Sequence, residues 1–208
     1  MRALILVDIQ NDFMPGGALP TRGGDEIIGV VNRLQKLFPL VVATQDWHPQ
    51  NHGSFASNHP GRKPGEVIDL NGLPQVLWPD HCVQESSGAE LHADLDQEPI
   101  AEVIRKGTDP AIDSYSGFFD NAHRKATGLE DVLRSKGVTE VHVVGLATDY
   151  CVKYTALDSL SLGFRTVVIS DACRGVDLHE GDIEAALLEM RNAGAEVIDS
   201  ERVIRGFQ

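Results

Sequence analysis

The chain has 208 residues, of which 42% are hydrophobic and 24% are charged, and its formal net charge is -13 at pH 7. This size and composition predict a globular protein with a sizeable buried core, and the negative charge argues against nucleic acid or an anionic membrane as a partner. No apolar run approaches the roughly 20 residues that span a bilayer, and the N-terminal segment turns polar at Asp8 without a cleavage site. We therefore expect a cytoplasmic location.

Short apolar runs alternate along the chain with segments of helical period. In chain order, the pattern predicts a strand at 3–7, a helix at 25–37, strands at 40–44 and 100–105, a helix at 129–135, a strand at 141–146, a helix at 150–162, a strand at 165–170, a helix at 183–192 and a strand at 196–198. Strands separated by helix-length segments imply right-handed crossovers. The sequence therefore predicts a single α/β domain over residues 1–208, a doubly wound, mostly parallel sheet with helices on both faces.

The segment at about 46–88 interrupts this pattern, because it is rich in Pro, Gly, Asn and His and shows little periodicity. Loops of such length in compact domains are usually functional or disordered. Two tryptophans and several histidines in the segment favour a function.

The same segment supplies candidate metal ligands. Asp46 and His48 project to one side of an extended chain, since side chains alternate with period two. A carboxylate with an imidazole suits Zn, Fe or Mn. A third ligand has to come from further along, and the candidates are His52, His59 and His81.

Three polar or reactive side chains stand at predicted strand ends, where parallel sheets collect their ligands. Asp8 follows the first strand, Lys106 follows the strand at 100–105, and Cys151 lies in the first turn of the helix after the strand at 141–146. Free N–H groups at a helix N-terminus and a nearby lysine both lower the pKa of a thiol, and a carboxylate can accept its proton. The pattern therefore predicts a nucleophilic cysteine, provided that the strands are neighbours.

Cys82 and Cys173 are interpreted as small buried apolar residues, and no disulfide is expected from three widely spaced cysteines.

Eight segments together carry a family resemblance. They include Leu-Val-Asp-Ile-Gln-Asn-Asp-Phe at the end of the first strand, Asp-Trp-His-Pro, Trp-Pro-Asp-His-Cys and Gly-Leu-Ala-Thr-Asp-Tyr-Cys. The eight segments lie at residues 6–13, 15–19, 45–49, 52–55, 78–83, 106–107, 113–118 and 145–152. With these segments, the sequence resembles the nicotinamidases of the isochorismatase-like cysteine hydrolase superfamily along nearly its whole length. The Asp-Trp-His-Pro and Trp-Pro-Asp-His-Cys segments are the more specific ones, because other branches generally lack the metal.

The resemblance implies an isochorismatase-like hydrolase fold and a set of site residues. The implied residues are a catalytic triad of Asp8, Lys106 and Cys151, an oxyanion hole from the backbone N–H groups of Ala147 and Cys151, metal ligands Asp46, His48 and His81 with His52 as a further candidate, and an aromatic pocket of Phe13, Trp78, Tyr115 and Tyr150. It also implies a cis peptide bond between Leu146 and Ala147.

The implied reaction is the hydrolysis of nicotinamide to nicotinic acid and ammonia through a cysteine thioester, with pyrazinamide as a second substrate. The implied cofactor is one divalent metal ion, with zinc as the first choice and Fe or Mn as alternatives. Another small-amide hydrolase of the superfamily, an isochorismatase, and a non-catalytic scaffold are the competing interpretations. The sequence leaves the oligomeric state open, and a homo-oligomer is compatible with it.

Overall fold

Eight strands appear in the computed structural model, which describes residues 1–207. They are β1 (Arg2–Val7), β2 (Val41–Asp46), β3 (Val67–Leu70), β4 (Leu73–Val76), β5 (Ile100–Lys106), β6 (Glu140–Leu146), β7 (Arg165–Arg174) and β8 (Glu196–Ile198). Six of them form one sheet in the order β5-β2-β1-β6-β7-β8, and every neighbouring pair is parallel. β3 and β4 form a separate antiparallel hairpin.

Helices cover both faces of the sheet. They are α1 (Ile28–Gln35), α2 (Leu129–Ser135), α3 (Lys153–Ser161), α4 (Asp182–Ala193) and α5 (Ser200–Arg205). Residues of α1 and α5 share one core cluster, and residues of α2, α3 and α4 share the other. The predicted doubly wound α/β sheet is confirmed, and its main sheet is entirely parallel.

β1 shows why this sequence builds a two-faced core. Leu4 and Leu6 belong to the cluster beneath α1, while Ile5 and Val7 belong to the cluster on the opposite face. A strand buried on both faces needs an unbroken apolar run instead of an alternating one. Each of these side chains is fully buried and contributes about 1.5–3 kcal/mol relative to an exposed position.

Some element boundaries differ from the sequence prediction. α2 and β8 begin and end as predicted, but a 3-10 turn at Gly24–Ile27 replaces the start of the helix expected at 25–37. The helix expected at 150–162 opens with a π-helical turn at Thr148–Val152, after which α3 continues. The hairpin and α5 were not predicted.

The strand order places a topological switch between β1 and β6. β2 and β5 follow β1 outward on one side of the sheet, and β7 and β8 follow β6 outward on the other side. Ligands of open parallel sheets bind in the crevice at such a switch, beyond the carboxyl ends of the strands. The residues that directly follow β1 and β6 therefore face this crevice. The Leu146–Ala147 peptide bond, at the end of β6, is cis as the resemblance implies.

All three cysteines are free and buried. Cys82 packs in the core cluster beneath α1 and Cys173 packs in the opposite cluster, so their interpretation as apolar filling residues is confirmed. Within residues 1–207, no helix is long and apolar enough to cross a membrane.

Candidate active site

Cys151 lies in the turn that joins β6 to α3. In this turn the N–H of Val152 donates to the carbonyl of Ala147 at 3.1 Å, the i→i+5 spacing of a π-helix. Single π-turns of this kind are frequent at functional sites. The sequence prediction that Cys151 occupies the first helical turn is confirmed, although the turn is π-helical. Ala147 and Cys151, the two residues of the implied oxyanion hole, both line one cavity at the switch point.

The predicted reactive residues Asp8 and Cys151 both lie close to the ammonium group of Lys106. Its Nζ lies 2.8 Å from Asp8 Oδ2 and 3.4 Å from Cys151 Sγ, and it donates to the Ser114 carbonyl at 3.0 Å. It also donates to Asp46 Oδ1. The assumption that all three strands are neighbours is wrong, because β2 lies between β1 and β5. Lys106 is the register partner of Asp46 on β2 and reaches Asp8 past that strand.

Burial governs the electrostatics of this cluster, since the side chains of Lys106 and Asp8 are completely buried. Burial lowers the pKa of Lys106, but Asp46 and Asp8 outweigh it and hold that pKa well above the ordinary value. For Asp46, burial raises the pKa, but Lys106 and His48 together hold it well below the usual range. Two carboxylates thus share one ammonium group in a buried site, where each charge needs a partner.

The two groups that would exchange a proton both have raised pKa values. Burial, partly opposed by Lys106, raises the pKa of Asp8 to about 6, and Thr44 Oγ1 donates to Asp8 Oδ1 at 2.6 Å. Burial also raises the pKa of the Cys151 thiol well above its ordinary value, because Asp8 and Asp46 offset the effect of Lys106. Lys106 does lower the thiol pKa, as predicted, but burial and the two carboxylates outweigh its effect. The resting cysteine needs a base, and a carboxylate oxygen of Asp8 lies within 4.8 Å of Sγ.

The three implied metal ligands come together. The ligand atoms of Asp46, His48 and His81 all lie within 4.8 Å of one another, and the three residues are buried. Nδ1 of His48 and Nδ1 of His81 each lie 2.8 Å from a backbone carbonyl, to which they must donate. Both Nε2 atoms are then free as ligands, the arrangement typical of metal-binding histidines. Burial lowers the pKa of His81 to about 4, which keeps it neutral as a ligand must be. The donor set fits a divalent metal ion.

His52 lies next to His48 in this set. Its ring centroid lies 4.3 Å from that of His48, and its ligand atom groups with those of His48 and Asp113 within 4.8 Å. Nδ1 contacts Ser54 Oγ at 2.7 Å, whereas the buried Nε2 has no hydrogen-bond partner within residues 1–207. An unpartnered buried nitrogen is expected of a ligand position. His59 is only partly buried, and its Nε2 donates to the Gly53 carbonyl, so it is not brought to the site.

The cavity above Cys151 has the aromatic wall that the resemblance implies. Trp78 Nε1 donates to Tyr115 Oη at 3.2 Å, and the ring centroid of Tyr150 lies 4.9 Å from Trp78 and 5.4 Å from Tyr115. The residues that line the cavity are Phe13, Leu19, Asp46, His48, Trp78, His81, Asp113, Tyr115, Ala147, Tyr150, Cys151 and Val176. Leu19, Asp113 and Val176 were not predicted. The first two lie in segments that carry the resemblance, whereas no feature of the sequence pointed to Val176.

Comparison with known proteins identifies the family. The isochorismatase domain family matches residues 2–202. The nicotinamidase of Escherichia coli (strain K12) is 54% identical over 198 residues, which cover 93% of this chain and 92% of that protein. A nicotinamidase/pyrazinamidase structure from Acinetobacter baumanii is 48% identical, with a TM-score of 0.94 and 97% of each chain covered. The structure of the Pyrococcus horikoshii pyrazinamidase in complex with zinc is 41% identical, with a TM-score of 0.78, and the match covers 95% of this chain and 98% of that one.

The chain therefore belongs to the isochorismatase domain family. Within that family it falls in the nicotinamidase group, whose members are amide hydrolases.

Proposed function

We propose that this protein hydrolyses nicotinamide to nicotinic acid and ammonia through a thioester on Cys151, and that it also hydrolyses pyrazinamide. The observation that carries the proposal is the buried cluster of Asp8, Lys106 and Cys151, whose cysteine lines an aromatic cavity. The nicotinamidases and pyrazinamidases among its relatives support this choice of substrates.

Asp8 is the base that activates the nucleophile. Its pKa of about 6 makes it a stronger base than an ordinary aspartate, and it accepts the proton of the Cys151 thiol. Lys106 keeps its proton, and its ammonium group stabilises the thiolate that remains 3.4 Å away. The raised pKa of the free thiol means that the nucleophile forms by this local transfer and is not present beforehand.

The thiolate then attacks the carboxamide carbon. The backbone N–H groups of Ala147 and Cys151 are the donors that receive the developing oxyanion. Protonated Asp8 gives its proton to the departing nitrogen, the C–N bond breaks, and ammonia leaves a thioester on Sγ. Asp8, again a carboxylate, takes a proton from the water that attacks the thioester. The C–S bond then breaks, nicotinic acid is released, and Asp8 returns the proton to Cys151 Sγ.

Asp46, His48 and His81 would hold the divalent metal ion, and we propose zinc as its identity, with Fe or Mn compatible with the same donors. A zinc-bound pyrazinamidase among the solved relatives supports the choice. When bound, the ion supplies an electron-pair acceptor, for which the ring nitrogen of nicotinamide is a suitable donor. Phe13, Trp78, Tyr115 and Tyr150 would hold the flat ring, since aromatic faces bury such rings well.

The test is ammonia release from nicotinamide by the wild-type protein and by Cys151→Ala. The matched control is Cys173→Ala, which removes an equally buried thiol that lies in the core beneath α3 and outside the cavity. We expect the Cys151 variant to lose at least about 1,000-fold in kcat and the control variant to keep its rate. Appreciable turnover by Cys151→Ala would overturn the thioester mechanism. Absence of turnover by the wild-type protein would overturn the proposed substrate.

A further inference from the structure

Asp149 lies two residues before the nucleophile, and the proposed reaction does not use it. Its side chain is buried, with only 5% of the residue exposed. Oδ1 accepts a hydrogen bond from the backbone N–H of Val176 at 3.0 Å, and Oδ2 accepts one from the N–H of Asp177 at 2.8 Å. One carboxylate thus binds two consecutive amides of a segment that is 27 residues away in the chain.

The segment held in this way is the loop between β7 and α4, residues 175–181, which we term the pocket loop. Its first residue, Gly175, is buried against the carboxylate, since a Cβ there would lie 2.9 Å from Asp149 Oδ1 and 2.5 Å from Ile183 Cγ1. The loop is exposed from Asp177 to Glu180. Val176, between the buried start and the exposed remainder, contributes a side chain to the wall of the substrate cavity.

Few other side-chain hydrogen bonds or ion pairs hold the start of the pocket loop in the part of the chain that the structure describes. The neighbouring ion pair of Arg174 with Glu26 is exposed, and such pairs contribute little. The Asp177 carboxylate accepts from the N–H of Ile183 only at 3.4 Å. By contrast, hydrogen bonds from two amides to a buried carboxylate are short and charge-assisted, the stronger class of hydrogen bond. Asp149 is therefore the main internal anchor of the loop where the loop touches the cavity.

We propose that Asp149 is a positioning residue that fixes Val176 against the substrate cavity and thereby sets the affinity for the amide substrate. The proposal rests on the proposed function. Asp149 stands on the turn that carries Cys151, so one short stretch of chain holds both the nucleophile and the part of the pocket wall that Val176 forms. The bonds of Asp149 lead to the loop and not to Asp8 or Lys106. Its loss is therefore expected to weaken substrate binding more than the chemical step.

The kinetic test compares Asp149→Ala and Asp149→Asn with Asp171→Asn. Asp171 is the matched control because its carboxylate also accepts two hydrogen bonds, from the N–H and the Oγ of Ser200, at the start of α5. For nicotinamide, we expect Asp149→Ala to raise KM about tenfold while kcat stays within about threefold of the wild-type value. Asp149→Asn keeps one acceptor and should show a smaller rise. Asp171→Asn should leave both constants unchanged.

A double-mutant cycle tests whether Asp149 acts through Val176. Val176→Ala alone should raise KM, and adding Asp149→Ala to it should raise KM little further, because the wall that Asp149 positions is already missing. Additive effects would overturn the proposal. A fall in kcat with unchanged KM would also overturn it, since that result would place Asp149 in support of the nucleophile. If Asp149→Ala does not fold, Asp149→Asn decides by the same criteria.

Backbone hydrogen exchange provides a readout that does not depend on catalysis. The amides of Val176 and Asp177 should exchange faster in the Asp149 variants than in the wild-type protein, and at the wild-type rate in Asp171→Asn. Unchanged exchange in the Asp149 variants would overturn the proposal. If the wild-type protein does not hydrolyse nicotinamide, the proposed function fails, and the exchange result alone decides whether Asp149 anchors the loop.

Discussion

Lys106→Met is the substitution that measures how strongly the buried charge cluster depends on its one cation. Methionine has a similar length but no charge, so Asp8 and Asp46 would share a buried site without a counter-ion. The side chains of Lys106 and Asp8 are 0% exposed, so solvent does not screen their interaction. Removing one partner of a buried ion pair costs about 3–5 kcal/mol in free energy of unfolding.

The loss in free energy of unfolding caused by Lys106→Met should be larger at high pH than at low pH. Burial raises the pKa of Asp8 to about 6 in the folded protein, and Lys106 opposes that rise. Without Lys106 the folded pKa is higher still. A carboxyl group whose pKa is higher in the folded than in the unfolded protein destabilises the fold as pH rises through the folded-state pKa. The stability returns when the pH falls and the group is protonated again. The variant should therefore be most destabilised at pH 8 and less so near pH 5.

The assay is urea unfolding followed by circular dichroism, at both pH values and with a chelator present so that a bound ion does not contribute to the difference. Arg105→Met is the matched control. It removes the neighbouring cation of β5, which is exposed and stacks on the Trp47 ring at 3.9 Å, a contact of about 0.5–1 kcal/mol. A loss below about 1 kcal/mol for Lys106→Met, or an equal loss at pH 5 and pH 8, would refute this account of the cluster.

Three further predictions concern the metal, the substrate ring and the remaining thiol. His81→Ala should lose most of the bound divalent ion by elemental analysis, whereas His59→Ala should keep it. Loss of the ion from His52→Ala would make His52 a ligand, and retention would make it a supporting residue. Benzamide, which lacks the ring nitrogen, should show a kcat/KM at least about 100-fold below that of nicotinamide, and equal values would exclude a polar contact to that nitrogen. Cys82→Ala should keep activity in the ammonia assay, because Cys82 lies in the core cluster beneath α1.

The hairpin and α5 were missed for different physical reasons. β3 and β4 are joined by Asn71 and Gly72, both with positive φ, and Asn-Gly is the preferred pair for a two-residue hairpin turn. The turn signal was therefore present, but the two strands are only four residues long and scarcely show alternation. α5 has six residues, too few for a helical period, although the Asp199 side chain caps it by accepting from the N–H of Arg202.

The identities of the site residues could be predicted more completely than their electrostatics. Asp8 could be located because it directly follows a buried strand, and Cys151 because it lies in the helical turn after another; both strand ends and helix starts are local properties of the sequence. The pKa of Cys151 could not be predicted, because it depends on how deeply the thiol is buried and on Asp46 lying beside Lys106. Val176 could not be found either, since its place in the cavity depends on the path of a loop that Asp149 holds from a distance.

Asp46 takes part in two structures at once. Its Oδ1 bonds to the ammonium group of Lys106, and its Oδ2 lies 3.7 Å from Nε2 of His48, on the side of the candidate metal ligands. The candidate metal site and the catalytic cluster are therefore linked through one shared side chain. A substitution at position 46 cannot be interpreted as a pure metal-site variant, because it also removes a counter-ion from the lysine beside the nucleophile. Only substitutions at His48 or His81 leave that lysine with both of its carboxylates.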